Sequence, residues 1–210
     1  SVMIAIIDYG VGNLFSLRAS LERIGAEAAV TSDPELIRHS DRIILPGVGA
    51  FADAAKKLFD SGLASLIKEQ AKIKPLLGIC LGMQLLFERS YEFGCHKGLG
   101  LIKGEVRPLS EVLPEHLKIP QMGWNSLTIT KPQCPIFKYS SQGDYVYFVH
   151  SYYGTDCSDS LCAYTEYGVP VTAAVWHENV CGCQFHPEKG GDTGLKILKA
   201  VSNTLAQGAL

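Results

Sequence analysis

The sequence predicts an α/β fold: an open, mostly parallel sheet flanked by helices, with a strand-rich second half. Three observations carry that expectation. Short apolar runs at 3–7, 42–45 and 76–79 are continuous rather than alternating, as in strands buried on both faces of a parallel sheet. Amphipathic stretches of helical period lie between them. A chain of 210 residues with 47% hydrophobic content can bury one sizeable core, so 1–210 is expected to be a single domain.

The elements follow in order. The apolar start at 3–7 has no basic segment before it and runs straight into Asp8, which argues for a first strand and against a signal peptide. Leu14, Leu17, Leu21 and Ile24 share one helical face, and Gly25 closes it. The runs at 42–45 and, after Pro75, at 76–79 read as buried strands; helices are expected over 51–60, 63–72 and 81–89. From Leu101 onward, strands are expected near Val106, Leu127, Val146, Ala163, Ala174 and Cys181. A closing helix is expected over 194–205, with Leu195, Leu198, Val201 and Leu205 on one face. The charged, proline-bounded stretch 111–118 reads as a surface excursion, and there is no internal repeat or long linker.

The chemistry concentrates where the 76–79 strand ends. Gly78, Cys80 and Gly82 form a G-x-nucleophile-x-G elbow, with cysteine where hydrolases carry serine. Such a turn brings backbone close to the nucleophile, and glycine is the residue that tolerates this. The helix N-terminus that follows favours negative charge on sulfur, the nucleophilic form. A buried structural cysteine is the common alternative. The strand-to-helix context favours the nucleophile.

A thiol nucleophile needs a base, and the chain has six histidines. In Gln184-Phe185-His186-Pro187-Glu188, His186 has a carboxylate two residues on, which His150 lacks. Two residues apart in an extended segment, His186 and Glu188 would point to the same side, with Pro187 stiffening the pair. His186 would take the thiol proton, and Glu188 would hold the ring's tautomer and stabilise its charged form. The loop Pro46-Gly47-Val48-Gly49, at the end of the 42–45 strand, can supply backbone N–H groups. An oxyanion hole is therefore expected from the N–H of Leu81, next after the nucleophile, and that of Val48.

Together these pieces resemble the class I (triad) glutamine amidotransferases, and more narrowly the glutaminase subunits of imidazole glycerol phosphate synthases. The likeness runs over nearly the whole chain. It takes in 7–13, the P-G-V-G loop in place of the more usual G-G-P-G type, the elbow and 98–102. It continues through Met122-Gly123-Trp124-Asn125, Val149-His150-Ser151-Tyr152-Tyr153 and 184–189. Two positions depart from it: Gln121, where the family usually reads P-H-M-G-W-N, and Gly190, where it reads H-P-E-K-S.

The resemblance implies a glutaminase. Cys80 would attack the side-chain amide of glutamine, form a thioester and release ammonia, with water then freeing glutamate. It implies that Gly49, Gln84, Glu92, Ser151 and Tyr152 hold the substrate. No P-loop, dinucleotide fingerprint or series of βα repeats is present to serve an ammonia acceptor. The resemblance supplies that role as a (β/α)8 synthase (cyclase) partner, which makes imidazole glycerol phosphate and an aminoimidazole carboxamide ribotide. Asn13, Lys118, Gln121, Trp124 and Lys189 match the docking surface. No cofactor or metal is implied. Two alternatives are a glutaminase subunit of another class I amidotransferase and a non-catalytic protein with Cys80 as redox sensor.

Composition agrees. A formal net charge of −2 leaves no electrostatic footprint for nucleic acid or anionic membrane. The apolar stretch 75–87 falls short of the ~20 residues of a membrane span. Seven cysteines, an odd and irregular set without C-x-x-C, suggest reduced thiols in the cytoplasm. Cys181 and Cys183, spaced C-x-C beside His177 and His186, are tighter than usual zinc spacing and read as core packing.

Overall fold

The computed structural model describes residues 2–203. The first part alternates strand and helix: β1 (Met3–Ile7), α1 (Leu14–Arg23), β2 (Glu27–Thr31), α2 (Pro34–His39), β3 (Arg42–Leu45), α3 (Phe51–Asp60), α4 (Leu63–Gln70), β4 (Leu76–Ile79) and α5 (Leu81–Leu85). The rest is mostly strand: β5 (Phe87–Ser90), β6 (His96–Lys97), β7 (Ile102–Pro108), β8 (Gln121–Ser126), β9 (Thr128–Ile129), β10 (Tyr145–His150), β11 (Tyr152–Thr155), β12 (Leu161–Glu166), β13 (Pro170–His177) and β14 (Val180–Cys183). Helix α6 (Gly191–Asn203) closes the described chain.

The main sheet has eight strands in the order β2-β1-β3-β4-β14-β13-β12-β9. It is parallel from β2 through β14 and antiparallel beyond. Successive strand residues face opposite sides, and both sides are covered by helices, so the strands are apolar throughout. Ile4, Ile6, Ile44 and Leu77 pack with Leu17 and Leu21 of α1 and Ile197, Leu198 and Val201 of α6. Ala5, Ile7, Ile43 and Leu76 pack on the other side with Phe51 and Leu58 of α3 and Leu63 and Ile67 of α4. Two smaller sheets, β10-β8 and β11-β7-β5-β6, hold the remaining strands. This is the α/β architecture expected from the sequence.

The structure departs from the expected elements in three places. The helix expected over 81–89 stops at Leu85, and Phe87–Ser90 is β5, paired in parallel with β7 and antiparallel with β6. Sheet hydrogen bonds override the helical period there. β2 and α2 were not anticipated. β2 is half alanine-like in character (Glu27-Ala28-Ala29), but α2 carries a readable signal: the Asp33 side chain accepts from the Glu35 N–H and Pro34 opens the helix. α6 begins at Gly191, ahead of the expected 194, and Leu205 lies outside the described residues.

All seven thiols are free; Cys95 is exposed and the others are buried. Cys181 and Cys183 are core residues of β14. Among the described residues, no group of three or more His, Cys, Asp or Glu side chains is placed to hold a metal ion. No helix among them is long and apolar enough to cross a membrane.

Candidate active site

The parallel pairing of β4 with β14 brings Cys80 and His186 together. Ile79 stands opposite Cys183, and the Cys80 N–H continues the ladder to the Cys183 carbonyl at 2.8 Å. Both chains then leave the sheet at the same carboxyl edge, where open α/β sheets bind ligands. Cys80 has φ 55° and ψ −115°, close to the first central position of a type II′ turn, which glycine dominates. Its neighbours explain the elbow glycines. A Cβ at Gly78 would stand 2.7 Å from the Gly82 carbonyl oxygen, and one at Gly82 would collide with the Leu45 carbonyl.

His186 and Glu188 meet as expected, by a different route. Only His186 is extended; Pro187–Lys189 is a 3-10 turn that curls Glu188 back beneath the ring. His186 Nδ1 lies 2.6 Å from Glu188 Oε1, and both side chains are buried. Burial disfavours the charged ring, but hydrogen bonds to Cys80 and Glu188, with their negative charge, outweigh it and raise the His186 pKa to about 10. The ring therefore carries its proton at neutral pH, between sulfur and carboxylate. That is the state a leaving amine requires.

A cleft of about 290 Å³ opens over this pair, and Gly49, Gln84, Glu92, Ser151 and Tyr152 all line it. Gln84 Nε2 donates to the Tyr152 carbonyl at 3.2 Å. Glu92 is buried and accepts the N–H of Phe51, the first residue of α3, which has no side-chain cap of its own. Burial raises the Glu92 pKa and the Phe51 N–H opposes the rise. A larger cavity of about 430 Å³, bounded by Glu88, Lys103 and Asp159, shares no residue with this cleft and has no paired nucleophile and base.

The two expected oxyanion donors are not gathered. The Leu81 N–H donates to the Gly47 carbonyl at 3.3 Å. The peptide is planar and trans, so the Val48 N–H points the opposite way, away from Leu81. The physical reason is that Leu81 opens α5 and its N–H has no partner within the helix, so the Gly47 carbonyl supplies one. The Tyr9 hydroxyl, buried and donating to the Pro46 carbonyl at 2.6 Å, anchors the loop just before this peptide.

His150, the other histidine in the cleft, is held differently. Nδ1 lies 2.8 Å from the Tyr152 carbonyl, and Nε2 2.7 Å from the Gln121 side-chain amide. Burial, assisted by the charge of His186 and opposed by the Tyr152 contact, lowers its pKa to about 4. A carbonyl only accepts, so Nδ1 carries the proton of the neutral ring and Nε2 offers a lone pair. Gln121 then turns its NH2 toward the ring, since a half-turn exchanges amide oxygen and nitrogen. The same half-turn gives a partner to an amide nitrogen otherwise unpaired among the described residues.

A stability prediction follows. An unfolded histidine titrates near ~6.5, so below that pH the unfolded chain takes up a proton that folded His150 refuses. Its contribution to stability is therefore expected to decline as pH falls from about 6.5 and to level off near about 4. Urea unfolding at pH 7 and pH 5 should show a smaller acid loss for His150→Gln than for the unsubstituted chain. An equal loss in both would refute the neutral-ring assignment.

The residues matched to a docking surface divide. Trp124 is exposed, with Met122 and Ile119 exposed in the same segment, and Lys118 is exposed. Asn13 caps α1, its side chain accepting from Ser16 N at 3.4 Å. Lys189 lines the cleft and lies over the Tyr147 ring. The Gln121 side chain is buried and faces His150. Sequence reasoning passed over Gln184, whose amide nitrogen lies 3.7 Å from the Cys80 sulfur. Its position beside the His186 segment was the only signal.

Comparison with known proteins identifies the family. The family model described as glutamine amidotransferase class-I matches residues 5–201. The chain is 54% identical to the imidazole glycerol phosphate synthase subunit HisH of Caldanaerobacter subterraneus subsp. tengcongensis, over 94% of this chain and 96% of that protein. It is 52% identical to the subunit of the same name from Lactococcus lactis subsp. lactis, over 94% and 96%. Among solved structures, the PurLQS structure from Thermotoga maritima includes a chain matched with TM-score 0.73 and 22% identity, covering 95% of this chain and 97% of that one. That match shows the shared fold.

Proposed function

The chain belongs to the class I glutamine amidotransferases, in the branch formed by the glutaminase subunits of imidazole glycerol phosphate synthase, and from that footing we propose that Cys80, His186 and Glu188 carry its hydrolysis of glutamine. The observation that carries the assignment is the Cys80–His186–Glu188 arrangement, buried at the edge of a cleft that Gln84 and Glu92 also line. Cys80 sulfur attacks the side-chain amide carbon of glutamine. The C–N bond breaks as His186 delivers its proton to the departing ammonia, leaving a thioester. Water, deprotonated by His186, attacks the thioester, and the thiolate leaves as glutamate is released. Glu188 keeps the ring oriented and its charged form stable. Gln84, Glu92 and the Ser151–Tyr152 backbone hold the polar ends of the substrate.

The acceptor of the ammonia is the (β/α)8 synthase partner, docked on a face that includes Trp124 and Lys118. The exposed Ile119, Met122 and Trp124 support a protein contact there, because exposed apolar groups cluster at interfaces. A glutamine-mimicking affinity label tests the pocket. Mass spectrometry should find it on Cys80, and a label spread over Cys95 instead would defeat the glutaminase assignment.

The Gly47 carbonyl on the Leu81 N–H supports control by the partner. With that contact made, the intermediate's oxyanion finds neither donor, and hydrolysis by the free chain is slow. Docking with acceptor bound turns the Gly47–Val48 peptide, freeing Leu81 and aiming the Val48 N–H inward. One displaced donor is worth roughly 10²–10³ in turnover. Val48→Pro has no N–H to offer, so stimulation by the synthase should vanish while binding persists. Rates measured with and without synthase, beside a binding titration, check this. Full turnover by the isolated chain, unchanged by the synthase, would overturn it.

A further inference from the structure

The Tyr152 carbonyl fixes the direction of a buried hydrogen-bond chain that ends on the nucleophile. A carbonyl oxygen can only accept, so the group of Gln84 that faces it at 3.2 Å is the NH2. The same NH2 lies 3.2 Å from the Gln184 side chain, which must present its oxygen there. The Gln184 NH2 is thereby turned the other way, and it lies 3.7 Å from the Cys80 sulfur. Reversing the Gln184 amide would set NH2 against NH2 at Gln84 and a carbonyl oxygen against the sulfur. The clash of the two NH2 groups at Gln84 fixes the direction, since the sulfur already faces one carbonyl oxygen, that of Val149 at 3.9 Å. Gln184 is itself fully buried, so water cannot substitute for either partner.

We propose that Gln184 is a catalytic residue of this site: its amide N–H donates to the Cys80 sulfur and holds it, negatively charged, across from His186. This rests on Cys80 being the nucleophile, as proposed above. The position follows from the strands, because Gln184 comes one residue after Cys183 in β14 and Cys80 one after Ile79 in β4, a paired set. Around the sulfur lie the Gln184 amide nitrogen at 3.7 Å and the Val149 carbonyl at 3.9 Å, with the His186 ring, whose pKa the sulfur raises, as its other partner. The proton of the imidazolium leaves with ammonia during the reaction, whereas the amide donor remains. Gln184 therefore also steadies the sulfur as it departs from the thioester with its electron pair.

The test reads sulfur chemistry apart from glutamine. Iodoacetamide labelling at pH 7, quantified by peptide mass spectrometry, gives the rate at Cys80 relative to the exposed Cys95. A hydrogen bond to a charged group is worth about tenfold or more. Gln184→Met should lower the Cys80 to Cys95 ratio about tenfold, and Gln184→Glu, of the same shape but without the donor, should lower it further. The kcat for glutamine should fall in step, with KM changed less than about threefold, because the amide touches sulfur and not the substrate's ends. Ammonium-supported synthesis by the complex with its synthase verifies that each variant folds and docks. Should Gln184→Met fail that check, Gln184→Glu decides alone. A labelling ratio within twofold of the unsubstituted chain in a folded variant overturns the proposal. A chain that labels as expected but never hydrolyses glutamine, even with its synthase, would instead overturn the glutaminase assignment and leave the amide–sulfur contact standing.

Discussion

Cys80→Ala is expected to abolish glutamine hydrolysis while leaving the fold and the synthase reaction intact. The sulfur forms and breaks the covalent bond, and alanine has no atom that can replace it. Losing a nucleophile of this kind costs on the order of 10⁴–10⁶ in turnover, whatever remains of the binding pocket. The fold should tolerate the change. Alanine keeps a Cβ, so the backbone at position 80 is neither relieved nor further strained, and only the contacts of one sulfur are lost. The expected signature is a split. The complex should make no cyclised product from glutamine but should make it at the usual rate from ammonium salts. Glutamine turnover comparable to that of the unsubstituted chain would mean that another group is the nucleophile.

His186→Ala should follow closely, with a loss of about 10²–10⁴ from the missing acid–base group, and more where thiol activation is lost as well. Both half-reactions pass protons through this ring. Glu188→Gln should cost less, because its oxygen can still accept from Nδ1 at the observed 2.6 Å, though it removes one of the two charges, after that of Cys80, that raise the ring's pKa. His150→Ala separates the two histidines. His150 is neutral, and both its nitrogens are committed to Tyr152 and Gln121, so it has no proton to exchange with Cys80. Its removal should disturb the cleft wall and raise KM more than it lowers kcat. A folded His150→Ala variant with a loss in kcat equal to that of His186→Ala would reassign the base.

Much of this site was legible because its logic is local. Gly78, Cys80 and Gly82 announce a crowded turn through their spacing alone, and His186 with Glu188 announces a pair two residues apart. The buried strands were legible from continuous apolar runs, since a sheet covered on both faces needs no polar side. The contacts that escaped are long-range. Nothing near Gly47 indicates that its carbonyl rests on Leu81, nor does anything near Gln184 indicate that it faces a sulfur 104 residues away in the chain. Phe87–Ser90 was misread because the helical period persists past Leu85, while strand pairing with β7 decides the outcome. Gln121 looked like a surface position from its neighbours Met122 and Trp124. Strand alternation turns it inward, and only the fold reveals the histidine waiting there.

The backbone of Cys80 sets two kinds of selection against each other. At φ 55° and ψ −115° a side chain strains the turn, by roughly 1–3 kcal/mol, and glycine alone would relax it. A protein library ranked by thermal resistance would therefore reward the replacement that destroys the enzyme. Cysteine persists there at a standing thermodynamic disadvantage, and a lineage released from the need for glutamine-derived ammonia would be expected to drift toward glycine first at this position. Glycine between Gly78 and Gly82 in a related sequence would thus be a mark of a retired nucleophile, readable without any assay.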